Sequence, residues 1–591
     1  MKKRSDSGTS IFVLIRHLLP IAYKAHPVLF ISVNALGIAQ ALSNGLNTII
    51  LAKLIDGIIQ TINDHNYIHI LIWILVLYGF ALLLLQVINS TFNFLMEQYL
   101  NVCEGNFTYI FHKAVSKTEP ICFEQEQYLN SILKAKEGAQ SCGLFTIYLF
   151  GVIDFVLPYF IFMGTYFAFV DTKLMLSIIF AFIPACFSLF AQLKLFTKLQ
   201  DTTAPIKRKY QYYKSCLIDK TFLKETRNLG AFGFFNKKAL DQLADLVHEV
   251  FSCNKKSEKI SLSVNLVTIL GYVSMLVLLI SSILSGDISI GLFVAAYGSM
   301  QTFFALMQNL VGGFGYGLVR IFAPIKNYVN FITKKNPTKL HDTFSEESGI
   351  RMSNVTFTYP NAQAPSLRNI QLEIPKGQVL AIVGENGSGK STLAKLMLGL
   401  YKPNDGSVHI GGLDTAMIDS DEYYPYLSTV FQDYVKYKFT LDANIKIGQI
   451  DKNMDTTPVL SQTSLSPELI LQKNDVILSR DFNGIDLSGG QWQQIAIARA
   501  QYRDHSFIVL DEPTAAIDPI MESDIYNRFI NMSKGKTAVV ITHRLGSARF
   551  ADRIIVLKEG QIIQDGTHND LLKLEGEYSR MWNLQAQNYV K

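Results

Sequence analysis

Five stretches of the chain contain no Asp, Glu, Lys or Arg: residues 25–52, 65–96, 174–193, 260–286 and 288–319. A sixth, 138–170, is interrupted only by Asp154. A helix needs about 20 apolar residues to cross the hydrocarbon of a bilayer, and each stretch reaches that length. The pattern predicts six spanning helices, near 27–49, 67–90, 143–169, 173–194, 260–284 and 289–319. Past Asn336-Pro337 the long runs stop, and short β-type runs alternate with helical segments and Gly-containing turns, as in an α/β domain. The expected division is a helical six-span membrane domain over 1–340 and an α/β domain over 341–591.

Charge sharpens this division. Residues 1–340 hold 30 Lys and Arg against 19 Asp and Glu, and residues 341–591 hold 24 against 30. The overall +5 therefore combines +11 in the membrane part with −6 beyond it, so no nucleic-acid partner is expected. The links after the first, third and fifth spans, about 55–66, 170–173 and 285–288, contain one Lys, Lys173, and no Arg. Segment 97–137 has four Lys, and 194–259 has fourteen Lys plus Arg. Basic loops stay inside, which puts the N-terminus, both long connections and the C-terminal domain in the cytoplasm of a cell-membrane protein. Residues 10–24 read as an amphipathic helix lying on the cytoplasmic interface, and no cleavage site marks a removable signal. As antiparallel helix pairs the two connections would reach about 30 Å and about 50 Å from the membrane. The six cysteines lie before residue 254 without a CxxC spacing, which favours free thiols.

The candidate chemistry lies in the second part. The strand-like VLAIVG ending at Gly384 runs into Glu385-Asn386-Gly387-Ser388-Gly389-Lys390-Ser391-Thr392, which opens a helix. Glycines there free backbone N–H groups to face phosphate, and the helix N-terminus adds its positive dipole. Lys390 is expected to reach the β/γ-phosphates of ATP and Ser391 to hold Mg²⁺. A second apolar strand, FIVLDE, ends in Asp511, placed to bind the metal, and Glu512, placed to polarise the attacking water.

Between them, Leu487-Ser488-Gly489-Gly490-Gln491 precedes the helical WQQIAIARA. With this motif the chain resembles the ATP-binding cassette family, and six spans followed by one cassette resemble a half-size ABC exporter. The resemblance implies a helical exporter-type membrane domain, an α/β P-loop cassette, and ATP hydrolysis coupled to transport. It implies further roles: Tyr359 stacking on adenine, Gln432 sensing Mg²⁺ and the lytic water, Asp518 contacting the opposite cassette, and His543 contacting the γ-phosphate. In the family the signature of one cassette faces the phosphate loop of another. Ser488, Gly489, Gly490 and Gln491 would therefore complete a partner's site, and a second half-transporter is required, either a second copy or a different chain. The tryptophan of LSGGQWQQ and the run DEPTAAIDPIMES are similar to exporters of lantibiotics and other ribosomal peptides. A peptide or amphipathic substrate is expected, with membrane lipids around the spans. A lipid or lipid-linked glycan flippase, a multidrug exporter and a non-transporting ATP-controlled sensor are the alternatives. No domain precedes the spans, so a leader-trimming peptidase module is not expected.

Four features of the membrane part complete the reading. Pro120-Ile121-Cys122-Phe123 and a counterpart near 205–220 resemble the transverse helices through which exporters touch their cassettes. Lys224-Glu225-Thr226-Arg227 resembles a stretch common on the returning helix. Asp154 is costly in a bilayer, about 2.5–3.5 kcal/mol, and should face a cavity or partner, with Gln40, Asn44 and Asn47 adding polarity. Gly312, Gly313, Gly315 and Gly317 could form a hinge or a close helix contact.

Overall fold

The computed structural model describes residues 11–170, 172–308, 314–334, 342–512, 529 and 532–587. Contacts divide the chain into two units: Met1–Thr118 with Glu126–Lys335, and Glu119–Gln125 with Asn336–Lys591.

The described part of the first unit is helical: α1 Ile11–Ala25, α2 Pro27–Asn63, α3 Ile68–Ser116, α4 Glu126–Phe150, α5 Leu157–Val170, α6 Thr172–Ile218, α7 Lys220–Asn228, α8 Phe232–Leu284, α9 Ile290–Gln308 and α10 Phe314–Ile332. A π turn, Gly151–Val156, joins α4 to α5. Among the described residues four helical stretches are long and apolar enough to cross a membrane: Pro27–Asn63, His65–Ser116, Glu126–Phe169 and Phe232–Leu284. Ile290–Leu306 is apolar but shorter. The stretch expected to span at 173–194 lies within α6, and that expected at 289–319 is divided between α9 and α10. Apolar side chains such as Trp73 and Leu83 on α3 point outward, the reverse of a water-soluble bundle.

Helices α3, α4, α6 and α8 run on past the uncharged stretches and, with α7, form the long connections. On α1, Leu14, Leu18 and Ala22 recur at a four-residue spacing and bury one face, while Phe12 is exposed. They pack with Tyr99, Phe107, Phe145, Phe150 and Tyr328 in one core, and the Tyr328 hydroxyl donates to the Phe107 carbonyl at 3.1 Å. Gly138 of α4 lies so close to α10 that a Cβ there would overlap the Pro324 carbonyl oxygen and stand 2.7 Å from Tyr328 Cβ. A second core joins Tyr159, Met163, Met275, Leu279 and Phe303.

The longer connection turns later than the 205–220 counterpart implies. α6 continues to Ile218, and the short helix at the tip is α7, so Lys224, Glu225 and Arg227 lie on α7 and not on the returning α8. Asp219 adopts an extended backbone that ends α6, the Thr226 hydroxyl donates to the Cys216 carbonyl at 3.0 Å, and Gly230 with φ +61° starts the return. Side chain and backbone together close the corner here, so the turn does not follow from apolar patterning.

The second unit contains two sheets. Strands β1 Ile350–Phe357, β2 Leu367–Ile374, β4 Asp405–Ile410 and β5 Leu413–Asp414 form an antiparallel sheet of order β2-β1-β4-β5. Strands β3 Val379–Val383, β6 Leu427–Val430, β7 Phe507–Asp511, β8 Thr537–Ile541, β9 Arg553–Lys558 and β10 Gln561–Gly566 form the other, of order β10-β9-β3-β8-β7-β6. Five of its strands are parallel and β10 is antiparallel at the edge. Its central strands are apolar on both faces, as a sheet covered on both sides requires. Leu380 and Ile382 of β3 face the core around α11, Lys390–Met397, while Ala381 and Val383 face Leu545, Leu571 and Tyr578. Further helices of this unit include α12 Leu441–Lys446, α13 Thr457–Leu460, α14 Pro467–Leu471, α15 Gly489–Tyr502 and, near the C-terminus, His568–Lys573 and Glu577–Gln587.

The segment Glu119–Gln125 belongs to this second unit, and its short helix Pro120–Glu124 lies on the α/β fold. Ile121 packs against the core that contains Leu396 and Tyr423. Lys402 pairs with Glu119 at 2.5 Å, and the Tyr401 hydroxyl donates to Glu124 at 2.7 Å.

Candidate active site

β3 ends in the phosphate loop, whose shape depends on glycine. Gly389 has φ +104°, and a Cβ on it would lie 2.8 Å from the Ser366 carbonyl oxygen and 2.9 Å from Leu367 Cδ2. It leads directly into α11, so the N–H groups of the helix start face the cleft. Lys390 is 5% exposed and its Nζ donates to the carbonyls of Gly384 at 3.1 Å and Glu385 at 2.9 Å. Burial pushes the Lys390 ammonium below its ordinary range, and the nearby Glu512 and Asp511 partly offset this.

β7 delivers the two carboxylates. Asp511 is buried, which pushes its carboxyl up, and a hydrogen bond with Ser391 acts in the opposite direction. Its Oδ1 is buried without a hydrogen-bond partner among the described residues. The next residue, Glu512, has φ +49°, a left-handed conformation that a non-glycine residue adopts at a cost. Its backbone N–H donates to the Ile541 carbonyl at 3.0 Å. Its side chain is held from two sides: Gln432 Nε2 donates to Oε2 at 2.8 Å, and His543 Nε2 lies 2.6 Å from Oε1. Residues 80 positions before and 31 positions after Glu512 therefore meet on its carboxylate.

These groups line an open cleft of about 1020 Å³ that includes Asn386, Gly387, Gly389, Lys390, Ser391, Thr392, Gln432, Glu512 and His543. Arg368 and Glu559 also line it. Neither belongs to a motif, and they reach the cleft because β2 and the β9–β10 turn pass the phosphate loop: the Arg368 N–H donates to the Gly560 carbonyl, and the Gly560 N–H to that of Ser388. Tyr359 stands beside α11 with its hydroxyl 3.1 Å from Thr392 Oγ1, packed edge-on against Tyr401.

The signature is not part of this cleft. Ser488 caps α15, its hydroxyl accepting from the Gln491 N–H at 3.3 Å while the Gln491 side chain accepts from the Ser488 N–H at 2.9 Å. This is the capping box that Ser-x-x-Gln encodes. Tyr434 donates to the Gly489 carbonyl at 2.7 Å. Asp518 lies outside the described residues.

Within the first unit, Asp154 is 2% exposed on the π turn, and its Oδ2 has no hydrogen-bond partner among the described residues. A Cβ on Gly37 would lie 2.8 Å from Asp154 Cβ, so the carboxylate faces α2 and not lipid. The other polar residues of α2 form no single path to it: Gln40 donates to Asn89 at 2.8 Å, Asn44 to the Gln40 carbonyl at 3.0 Å, and Asn47 is buried separately. Gly312 and Gly313 lie outside the described residues. Gly315 is in the first turn of α10, and Gly317 packs against Tyr148, where a Cβ would meet the ring at 2.6 Å.

Residues 367–515 match the family model described as ABC transporter. The subtilin transport ATP-binding protein of Bacillus subtilis is 42% identical over 243 residues, 40% of this chain and 39% of that protein. The nisin transport ATP-binding protein of Lactococcus lactis subsp. lactis is 35% identical over 239 residues, 39% of this chain and 40% of that one. The ATP-dependent lipid A-core flippase of Escherichia coli strain K12 is 35% identical over 240 residues, 40% and 41% of the two chains. These matches span about two fifths of the curated relatives' length. The solved structure of a bacterial Atm1-family ABC exporter with ATP bound has the same fold, with a TM-score of 0.79 at 20% identity, covering 95% of this chain and 100% of that one. The fold is thus that of an Atm1-family ABC exporter, a helical domain with apolar helices followed by an α/β nucleotide-binding domain.

Proposed function

We propose that two copies of this chain form an exporter in the cell membrane that hydrolyses ATP to move a peptide or amphipathic compound out of the cytoplasm. The observation that carries this reading is Glu512, held between Gln432 and His543 on the wall of the cleft that contains Lys390. ATP would lie along the phosphate loop, with Lys390 turning from its two carbonyls to the β/γ-phosphates and Tyr359 beside the base. Glu512 would accept the proton of the attacking water, Gln432 would orient it, and His543 would meet the γ-phosphate. Ser391, Gln432 and Asp511 offer the hard oxygen donors a divalent cation takes, and the unpartnered buried Oδ1 of Asp511 suits such a ligand. Mg²⁺ held there would neutralise charge on the phosphates.

Ser488, Gly489, Gly490 and Gln491, absent from the chain's own cleft, would close the cleft of a second copy, and Asp518 would lie at that contact. ATP would then favour the closed pair, since only a ligand with unequal affinity for two states shifts them. The identity to subtilin and nisin transport proteins favours a peptide. The identity to lipid A-core flippases favours a lipid as the second reading.

Steady-state ATPase activity of the purified, reconstituted chain tests the proposal. Glu512→Gln should lower kcat by about 10² or more while ATP still binds, because the substitution removes the proton acceptor and leaves the cradle intact. Peptides that stimulate the wild-type rate would support the first reading, and stimulation by lipids alone the second. Wild-type kcat in Glu512→Gln would exclude hydrolysis at this cleft.

A further inference from the structure

We infer that Gln585, on the C-terminal helix Glu577–Gln587, is a positioning residue that sets His543. The inference rests on the ATPase reading of the cleft and adds a residue outside every motif. His543 lies in the turn that leaves β8, immediately before Arg544 and Leu545. The Gln585 side chain spans this turn: Nε2 donates to the His543 carbonyl at 2.5 Å, and Oε1 accepts from the Leu545 N–H at 2.9 Å. One planar amide thus fixes the backbone on both sides of Arg544, with the acceptor and the donor each paired to its complement. Within the turn, the Arg544 N–H donates to Thr542 Oγ1 at 3.0 Å.

The helix that carries Gln585 is itself firmly placed. Tyr578 is fully buried beside Leu571, Ala381 and Val383, and Trp582 packs onto the same core. The Tyr578 N–H donates to Gln564 at 2.8 Å, and Glu577 pairs with Lys558 at 2.9 Å. Arg580, one turn before Gln585, reaches Glu385 of the phosphate loop at 2.7 Å. A single C-terminal helix therefore touches both walls of the cleft, the loop that carries Lys390 and the turn that carries His543.

The consequence is catalytic. The imidazole hangs from the backbone that Gln585 holds, and its Nε2 meets Glu512 at 2.6 Å. Releasing the turn leaves the phosphate cradle intact but loosens the group that must find the γ-phosphate, and displacements of about 1 Å cost on the order of 10²-fold in rate. Turnover should suffer and nucleotide binding should not.

The test measures ATPase kinetics, ATP binding and backbone hydrogen exchange on the full reconstituted chain, for Gln585→Ala, Gln585→Glu, His543→Ala and the double variant Gln585→Ala/His543→Ala. Gln585→Ala should lower kcat about tenfold with the KM for ATP changed less than about twofold. Gln585→Glu keeps the acceptor for Leu545 but sets a carboxylate against the His543 carbonyl, and should be equally slow. In the His543→Ala background Gln585→Ala should add no further loss, as expected of residues acting through one another. Exchange at the Leu545 N–H should rise in Gln585→Ala. Wild-type kcat, a matching loss of ATP affinity, or a full additional loss in the double variant would overturn the inference. Unchanged exchange at Leu545 would overturn it whatever the ATPase result. A wild-type chain without ATPase activity would instead refute the ATPase reading, while the exchange measurement still decides whether Gln585 holds the turn.

Discussion

Glu512 combines a left-handed backbone, φ +49°, with a carboxylate held from two sides by Gln432 and His543. Its role as a candidate base followed from an apolar strand ending in two carboxylates downstream of a phosphate loop. Its left-handed backbone and its bracketing by Gln432 and His543 did not, because both depend on which strands lie side by side. His505 shows the same limit. Nothing around it in the chain marks it, yet it is buried at the start of β7 with Nδ1 2.6 Å from the Arg503 carbonyl and Nε2 3.3 Å from Lys536 Nζ. Burial pushes its pKa down to about 4; the hydrogen bond to the Arg503 carbonyl and the Asp504 charge oppose this, while the charges of Lys536 and Arg503 add to it. A folded-state value below the unfolded one favours the neutral ring, so this contribution is complete above about pH 6.5 and is lost as the pH falls toward 4. Between pH 7 and 5 the cassette should lose about 2 kcal/mol from this group, roughly 5 °C of melting temperature. Thermal melts of His505→Gln should show a flatter profile over that range. A profile as steep as the wild type's would assign the acid sensitivity to other groups.

At the scale of elements, patterns with a fixed period were the most legible. Uncharged runs mark where helices lie, the continuous apolar run VLAIV reads as a strand, and the signature stands before a helical run. Corners were less legible: the tip of the longer connection depends on Asp219, Thr226 and Gly230, whose joint geometry no periodicity encodes. Close helix contacts are equally silent in the sequence, since a glycine reads the same whether it faces lipid or another backbone. Gly138 and Gly105 differ in this way, the first against the Pro324 carbonyl and the second in open space. Gly138→Val should therefore destabilise the helical unit by about 1–3 kcal/mol through overpacking, and Gly105→Ala should be neutral or better. Melting of the two variants in detergent checks this, and equal melting temperatures would refute the close α4–α10 contact.

For the whole molecule the division of charge acquires a physical meaning. Of the 30 Lys and Arg in residues 1–340, 18 lie in the two long connections that the orientation rule assigns to the cytoplasm, and the −6 of residues 341–591 belongs to the α/β part. One of those connections contributes Glu119–Gln125 to the cassette unit, with Ile121 seated on its core. The proposed substrate is less legible than the cleft, because the motifs lie in the α/β part, whereas Asp154 on its π turn is a single buried carboxylate without a periodic signature. The most direct measurement of the central claim is ATP-dependent uptake of a labelled cationic amphipathic peptide into inside-out membrane vesicles containing the wild-type chain or Glu512→Gln. Accumulation with ATP is expected in the wild type and none in Glu512→Gln; equal accumulation in both would overturn hydrolysis-driven export by this chain.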